Sequence, residues 1–194
     1  MYYDQIILGH IMTKPMYGYE IKKALEDFNR GIRGNEINNN TLYPLLSKFE
    51  RNGYITKEVV YQEGKPNRNV YKITDEGIVF FYRSLNELGI NTRKNQEDFC
   101  VRLVFFESLL PATRKRLLDE REKFLLQSRY GANEVSKALQ SSRIKGHNQK
   151  LTLGGLIPFY NEMVQEELEL IDFYRRNINV PCVIPENIRS LLSE

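Results

Sequence analysis

Apolar residues recur along the first third of the chain at steps of three and four, the spacing that keeps them on one face of an α-helix. In "YDQIILGHIMTKP" the inner positions are Ile7, Leu8 and Ile11, and Lys14 with Pro15 closes the run. "MYGYEIKKALEDFNR" repeats the pattern, with Ile21, Ala24, Leu25 and Phe28 on one stripe and Lys22, Lys23, Glu26 and Asp27 facing outward. "GIRGNEINN", with its glycines and asparagines, is a turn. A third helix follows in "TLYPLLSKFER", where Leu42, Leu45, Leu46 and Phe49 share a face and Gly53 stands where a left-handed C-terminal residue is wanted. Pro44 lies inside this run. Deep in a helix a proline costs about 3 kcal/mol or more, whereas in the first turn its missing amide hydrogen has no partner to lose. The expectation is therefore that the helix starts at Asn40 or Thr41, either of which is a good N-cap.

The period then changes. "YITKEVVY" and "NVYKIT" are rich in β-branched and aromatic residues, and "QEGKPNRN" between them carries turn formers, which predicts a two-stranded hairpin. Thr74 is placed to cap a fourth helix bearing Ile78, Phe81, Leu85 and Leu88. Three helices followed by such a hairpin outline a winged helix-turn-helix domain over residues 1–90.

"INTRKNQED" has no apolar period and marks a domain boundary. Beyond it, residues 95–177 read as an all-α domain. Phe99, Leu103, Phe106 and Leu110 form one stripe. A second helix opens at Pro111, and a third, covering about residues 152–177, carries Leu168, Ile171 and Tyr174, with a kink expected at Pro158 and a turn at Gly154 and Gly155. Long helices with few turns bury their stripes best against a second copy, so this is the expected dimerisation domain. Residues 178–194, with two prolines, are expected to be a loosely docked tail. The fold class is thus mainly α with a small β-hairpin.

Composition changes this picture little. Hydrophobic residues at 41% and charged ones at 27% are ordinary for a globular protein, and the apolar runs are too short to span a bilayer. With no charged-then-apolar leader at the start, the expected location is cytoplasmic. Two cysteines far apart, without flanking histidines, argue against a disulfide scaffold or a zinc module. The net charge of +3 is weak support for a polyanionic partner, so any nucleic-acid signal has to lie in local placement.

That placement is suggestive on the third helix. A 100° step per residue puts Asn40, Pro44, Ser47, Lys48 and Arg51 opposite the apolar stripe, with Thr41 and Tyr43 at its edges. Uncharged polar groups at the front suit base edges, while Ser47, Lys48 and Arg51 suit phosphates. The bland alternative is a solvated helix face, which every amphipathic helix has. The hairpin adds Lys65, Arg68 and Lys72 near a tip able to reach a phosphate strand or the minor groove. Polar-fronted helix and basic wing occur in the order a duplex reader needs.

"YGYEIKKAL", "TLYPLLSKFERNGYI" and "NVYKITDEG" resemble the PadR family of winged-helix transcriptional regulators over roughly residues 3–90, and the length is similar to its longer PadR and AphA type. The resemblance implies a sequence-specific DNA-binding regulator, most often a repressor, that dimerises through its helical C-terminal domain. It places Tyr17 and Gly18 at the opening of the second helix, Thr41 to Pro44 at the opening of the recognition helix, and Tyr71, Thr74 and Gly77 at the close of the wing. Tyr17 and the outward Lys22 thereby join the candidate DNA contacts. The implied partners are a double-stranded inverted-repeat operator, a second copy of the chain and a small aromatic effector; no cofactor and no membrane are implied.

Other chemistries lack their parts. His10 reads as a structural histidine, Cys100 as core, and no nucleophile and base or carboxylate pair can be placed together, so an enzyme is not expected. A winged-helix protein-interaction adaptor without sequence-specific DNA binding is the alternative, because the fold alone does not fix the function.

Overall fold

The computed structural model describes residues 2–32, 38–61, 67–89, 95–141 and 146–192. The chain is mostly helical, with one three-stranded antiparallel sheet, and divides into two compact units.

The first unit comprises Met1–Glu87, Cys100–Leu109 and Val183–Glu194. It opens with α1 (Tyr2–Thr13), β1 (Met16–Tyr17) and α2 (Gly18–Ile32). Ile7, Leu8 and Ile11, and then Ile21 and Leu25, are buried, as their spacing predicts. After α3 (Asn39–Arg51) come β2 (Ile55–Val60), β3 (Arg68–Ile73) and α4 (Asp75–Asn86). The wing hairpin runs in register from Ile55↔Ile73 to Val60↔Arg68. A third strand was not legible in the sequence: β1 adds to the free side of β3, pairing Met16 with Tyr71 and Tyr17 with Val70. Two residues carry no alternation to read, and only tertiary pairing makes them a strand.

α3 starts earlier than the proline argument requires. Its N-cap is Asn38, whose Oδ1 accepts from the Thr41 amide and hydroxyl, each at 3.0 Å. Pro44 therefore lies past the first turn, unable to donate to the Asn40 carbonyl. The helix tolerates this because Asn40 and Pro44 face solvent, where water replaces the lost bond, while Leu42, Leu46 and Phe49 are buried. The far end fits expectation. Gly53, at φ 73°, donates to Glu50 and Tyr54 donates to Phe49, and the rings of Phe49 and Tyr54 meet at 6.5 Å. This double bond and its apolar contact form a Schellman motif.

The turn is locked to α4. Thr74 caps that helix through the Gly77 amide at 3.0 Å and gives its hydroxyl proton to the Gly53 carbonyl at 2.6 Å. A Cβ on Gly77 would stand 2.0 Å from the Tyr54 carbonyl oxygen, so only glycine fits. The unit is completed by part of α5 (Gln96–Val104), a 3-10 turn (Phe106–Ser108) and α8 (Glu186–Leu192), which packs on α4. Arg102, almost wholly buried, donates to the Ser84, Leu85 and Glu87 carbonyls at the end of α4. Ile184 and Ile188 are buried too, so the tail is packed rather than loose.

The second unit comprises Leu88–Phe99 and Leu110–Cys182 and is dominated by α6 (Pro111–Gln140) and α7 (His147–Arg176). Pro111 is the first residue of α6, as expected. Arg121 meets Glu167 at 2.6 and 3.0 Å, Asn133 meets Asn161, and Arg175 meets Glu122 and Asp119. Those partners run in opposite senses along the chain, so the two helices are antiparallel. Gly154 and Gly155 do not form the expected turn; they lie within α7. Packing of Ile157, Val164 and Ile171 outweighs the roughly 1 kcal/mol that each exposed glycine costs a helix.

Candidate nucleic-acid interface

The exposed side of α3 carries Asn40, Thr41, Tyr43, Pro44, Ser47, Lys48 and Arg51. These residues differ in what holds them. Thr41 is turned back into the N-cap. Lys48 reaches across to Asp4 of α1, Nζ to Oδ2 at 3.5 Å, and that carboxylate is buried. Arg51 has no ion pair among the described residues. Tyr43 is 44% exposed, yet one side of its ring rests against the start of α2: a Cβ built on Gly18 would lie 3.4 Å from Tyr43 Cε1 and 3.6 Å from Tyr71 Cε2.

The start of α2 is thus the meeting point. Glu20 accepts from the Tyr17 amide at 2.8 Å, which satisfies one of the amides a helix start leaves unpaired. Beside it, Arg68, at the tip end of β3 where it pairs with Val60, places its guanidinium 5.9 Å from the Tyr17 ring centre and 5.6 Å from that of Tyr19. Tyr43 of α3 and Arg68 of β3 therefore flank the same stretch, Tyr17 to Tyr19, at the start of α2. Lys22 is on α2 but pairs with Glu26 at 3.6 Å, and Lys72 pairs with Glu58 at 3.9 Å. Lys65 lies outside the described residues. Tyr71, under this surface, has its phenol pKa raised above 10, first by burial and then by Tyr43 and Glu50, against a lowering hydrogen bond with Asn69.

Sequence reasoning missed Asn38 and Tyr19. The cap lay in a run of three asparagines with no local signal to choose among positions, and the role of Tyr19 depends on a wing residue far along the chain. The dimerisation candidates are placed mostly inward. Phe99, Leu103, Phe106 and Ile171 are buried within the chain, the first and last in the second unit and the other two in the first; Leu110, Leu168 and Tyr174 are half-buried.

Residues 7–82 match the model of the transcriptional regulator PadR-like family, a segment that spans the helices, wing and interface just described. Residues 7–82 belong to this family. PadR-like proteins are transcriptional regulators, not enzymes. Among solved structures, the PadR-like chain is similar to a transcriptional regulator from Clostridium thermocellum, at 32% identity over 43% of this chain and 76% of that one, with a TM-score of 0.38. It is also similar to Bacillus subtilis PadR in complex with operator DNA, at 17% identity over 91% and 97% with a TM-score of 0.42. The same B. subtilis protein with p-coumaric acid matches at 15% over 93% and 100%, with a TM-score of 0.40. No curated protein matches the chain. Among the described residues no helix is long and apolar enough to cross a membrane.

Proposed function

We propose that this PadR-like DNA-binding regulator is a homodimeric repressor that recognises an inverted-repeat operator. One observation carries the reading: Tyr43, on the uncharged front of α3, and Arg68, at the tip end of the wing, both border the start of α2. A duplex entering there meets hydrogen-bonding groups suited to base edges from the helix and a cation suited to phosphate from the wing. Asn40 and Tyr43 read bases; Ser47 and Arg51 hold the backbone, and Lys65 is assigned the same role from the sequence.

Dimerisation is assigned to the second unit, through a surface other than the buried stripes. Leu156, Phe159, Met163, Leu170 and Phe173 are exposed on α7 at steps that keep to one seam, with Glu166 at the intervening position. An exposed seam of this kind fits a second helix of the same sort. Two copies would set their recognition helices in successive major grooves roughly 34–36 Å apart. Release by a small aromatic effector is the last part of the proposal and rests on the family resemblance alone.

Selection of bound fragments from random DNA by the full chain tests the reading. The expected product is a pair of inverted half-sites about one helical turn apart, bound more weakly as salt rises. Binding without sequence preference or salt dependence would overturn it in favour of a protein-interaction adaptor. Titration of phenolic acids onto the bound complex tests the effector, and release of operator is the expected result.

A further inference from the structure

The geometry points to Tyr19 as a positioning residue that, together with Tyr17, holds the Arg68 guanidinium at the junction of wing and α2 for a duplex phosphate. Tyr17 and Tyr19 stack with ring centres 5.7 Å apart and planes within 12°. Arg68 lies within 6 Å of both centres, the range in which a ring face attracts a cation. The fold dictates the meeting. Tyr17 pairs with Val70 on β3, and Arg68 stands two residues away on the same face of that strand, so the two are diagonal neighbours. The Tyr17 backbone is fixed on its other side by Glu20.

What sets Arg68 apart is the pair of rings it faces. Lys14, Lys22, Lys48, Lys57 and Lys72 of the same unit each face a carboxylate, whereas Arg68 faces two rings among the described residues. A carboxylate would cancel the charge a phosphate needs to find; a ring quadrupole holds the cation and leaves its charge intact. The rings also narrow the rotamers of a side chain that otherwise loses much of its conformational freedom when a ligand orders it. Tyr19 is 56% exposed, so this ring is not there to fill a core.

The inference rests on the DNA-binding reading, and the test separates the two. The full chain and a duplex that the wild type has selected from random DNA are used throughout. Tyr19→Leu is expected to weaken binding about two- to fivefold, the loss of an exposed cation–ring contact. Tyr19→Phe should bind within about twofold of wild type, because the ring face remains. In an Arg68→Gln background, which itself lowers the salt slope by about one, Tyr19→Leu should cost nothing further. Equal losses for Tyr19→Phe and Tyr19→Leu would show that the hydroxyl meets DNA directly and would overturn the positioning role, as would losses that add in the double variant. A wild type that retains no duplex would sink the DNA-binding reading and the inference together.

Discussion

Lys48 and Arg51 stand one turn apart on the exposed side of α3 and are chemically alike, yet their surroundings separate them. Lys48 is the counter-charge of a buried carboxylate, whereas Arg51 has no ion pair among the described residues. Arg51→Ala is therefore expected to weaken binding to all duplexes alike and to reduce the salt slope by about one, read from affinities at several salt concentrations. Lys48→Ala should instead lower stability by about 1 kcal/mol, seen as a lower urea midpoint at constant m, with a smaller change in salt slope. Tyr71 makes a pH prediction. Its folded pKa lies above the ordinary 10.0 because burial disfavours the phenolate, so the unfolded chain releases this proton first. Below pH 10 the residue is neutral in both states and contributes no pH dependence; above it stability falls until the folded phenol ionises. Urea midpoints between pH 9 and 11 should fall less steeply in Tyr71→Phe than in the wild type.

At the scale of the element, α3 is held by its ends. The Asn38 side chain satisfies the Thr41 amide, and its removal in Asn38→Ala should cost about 1 kcal/mol. Gly53 occupies a left-handed backbone that other residues enter at a cost of about 1–2 kcal/mol, so Gly53→Ala should destabilise by that much although nothing crowds it. Both effects are measured as shifts in thermal midpoint. Pro44→Ala works the other way: it restores the bond to the Asn40 carbonyl and is expected to raise stability by about 1–3 kcal/mol. The proline shows how a sound local rule can fail. Placing it in the first turn was the cheapest solution for an isolated helix, but Asn38 makes the better cap and the three buried side chains carry the extra turn.

For the whole molecule, the exposed α7 seam makes the assembly testable. Phe159→Asp combined with Met163→Asp puts charge in the middle of the apolar part of this seam, and sedimentation should then show a monomer with a concentration-independent melting temperature. The periodicity of the C-terminal half predicted long helices correctly but not which stripes remain outside. Phe99 and Phe106 share a sequence pattern, yet one belongs to the core of the second unit and the other to that of the first. A stripe read from sequence reports that a face is apolar; whether it meets its own chain or another depends on what packs there.

Helix, wing and their order were written in the period of the apolar residues and in the turn formers, because burying a face requires one repeat for a helix and another for a strand. The same patterns identified the outward side of α3. Contacts between residues far apart in the chain were decided only by the tertiary structure: β1 on β3, Lys48 with Asp4, and Arg68 against Tyr17 and Tyr19. Such partners leave no periodic trace, since an ion pair or a ring contact needs one residue on each side and any spacing along the chain will serve once the backbone brings them together.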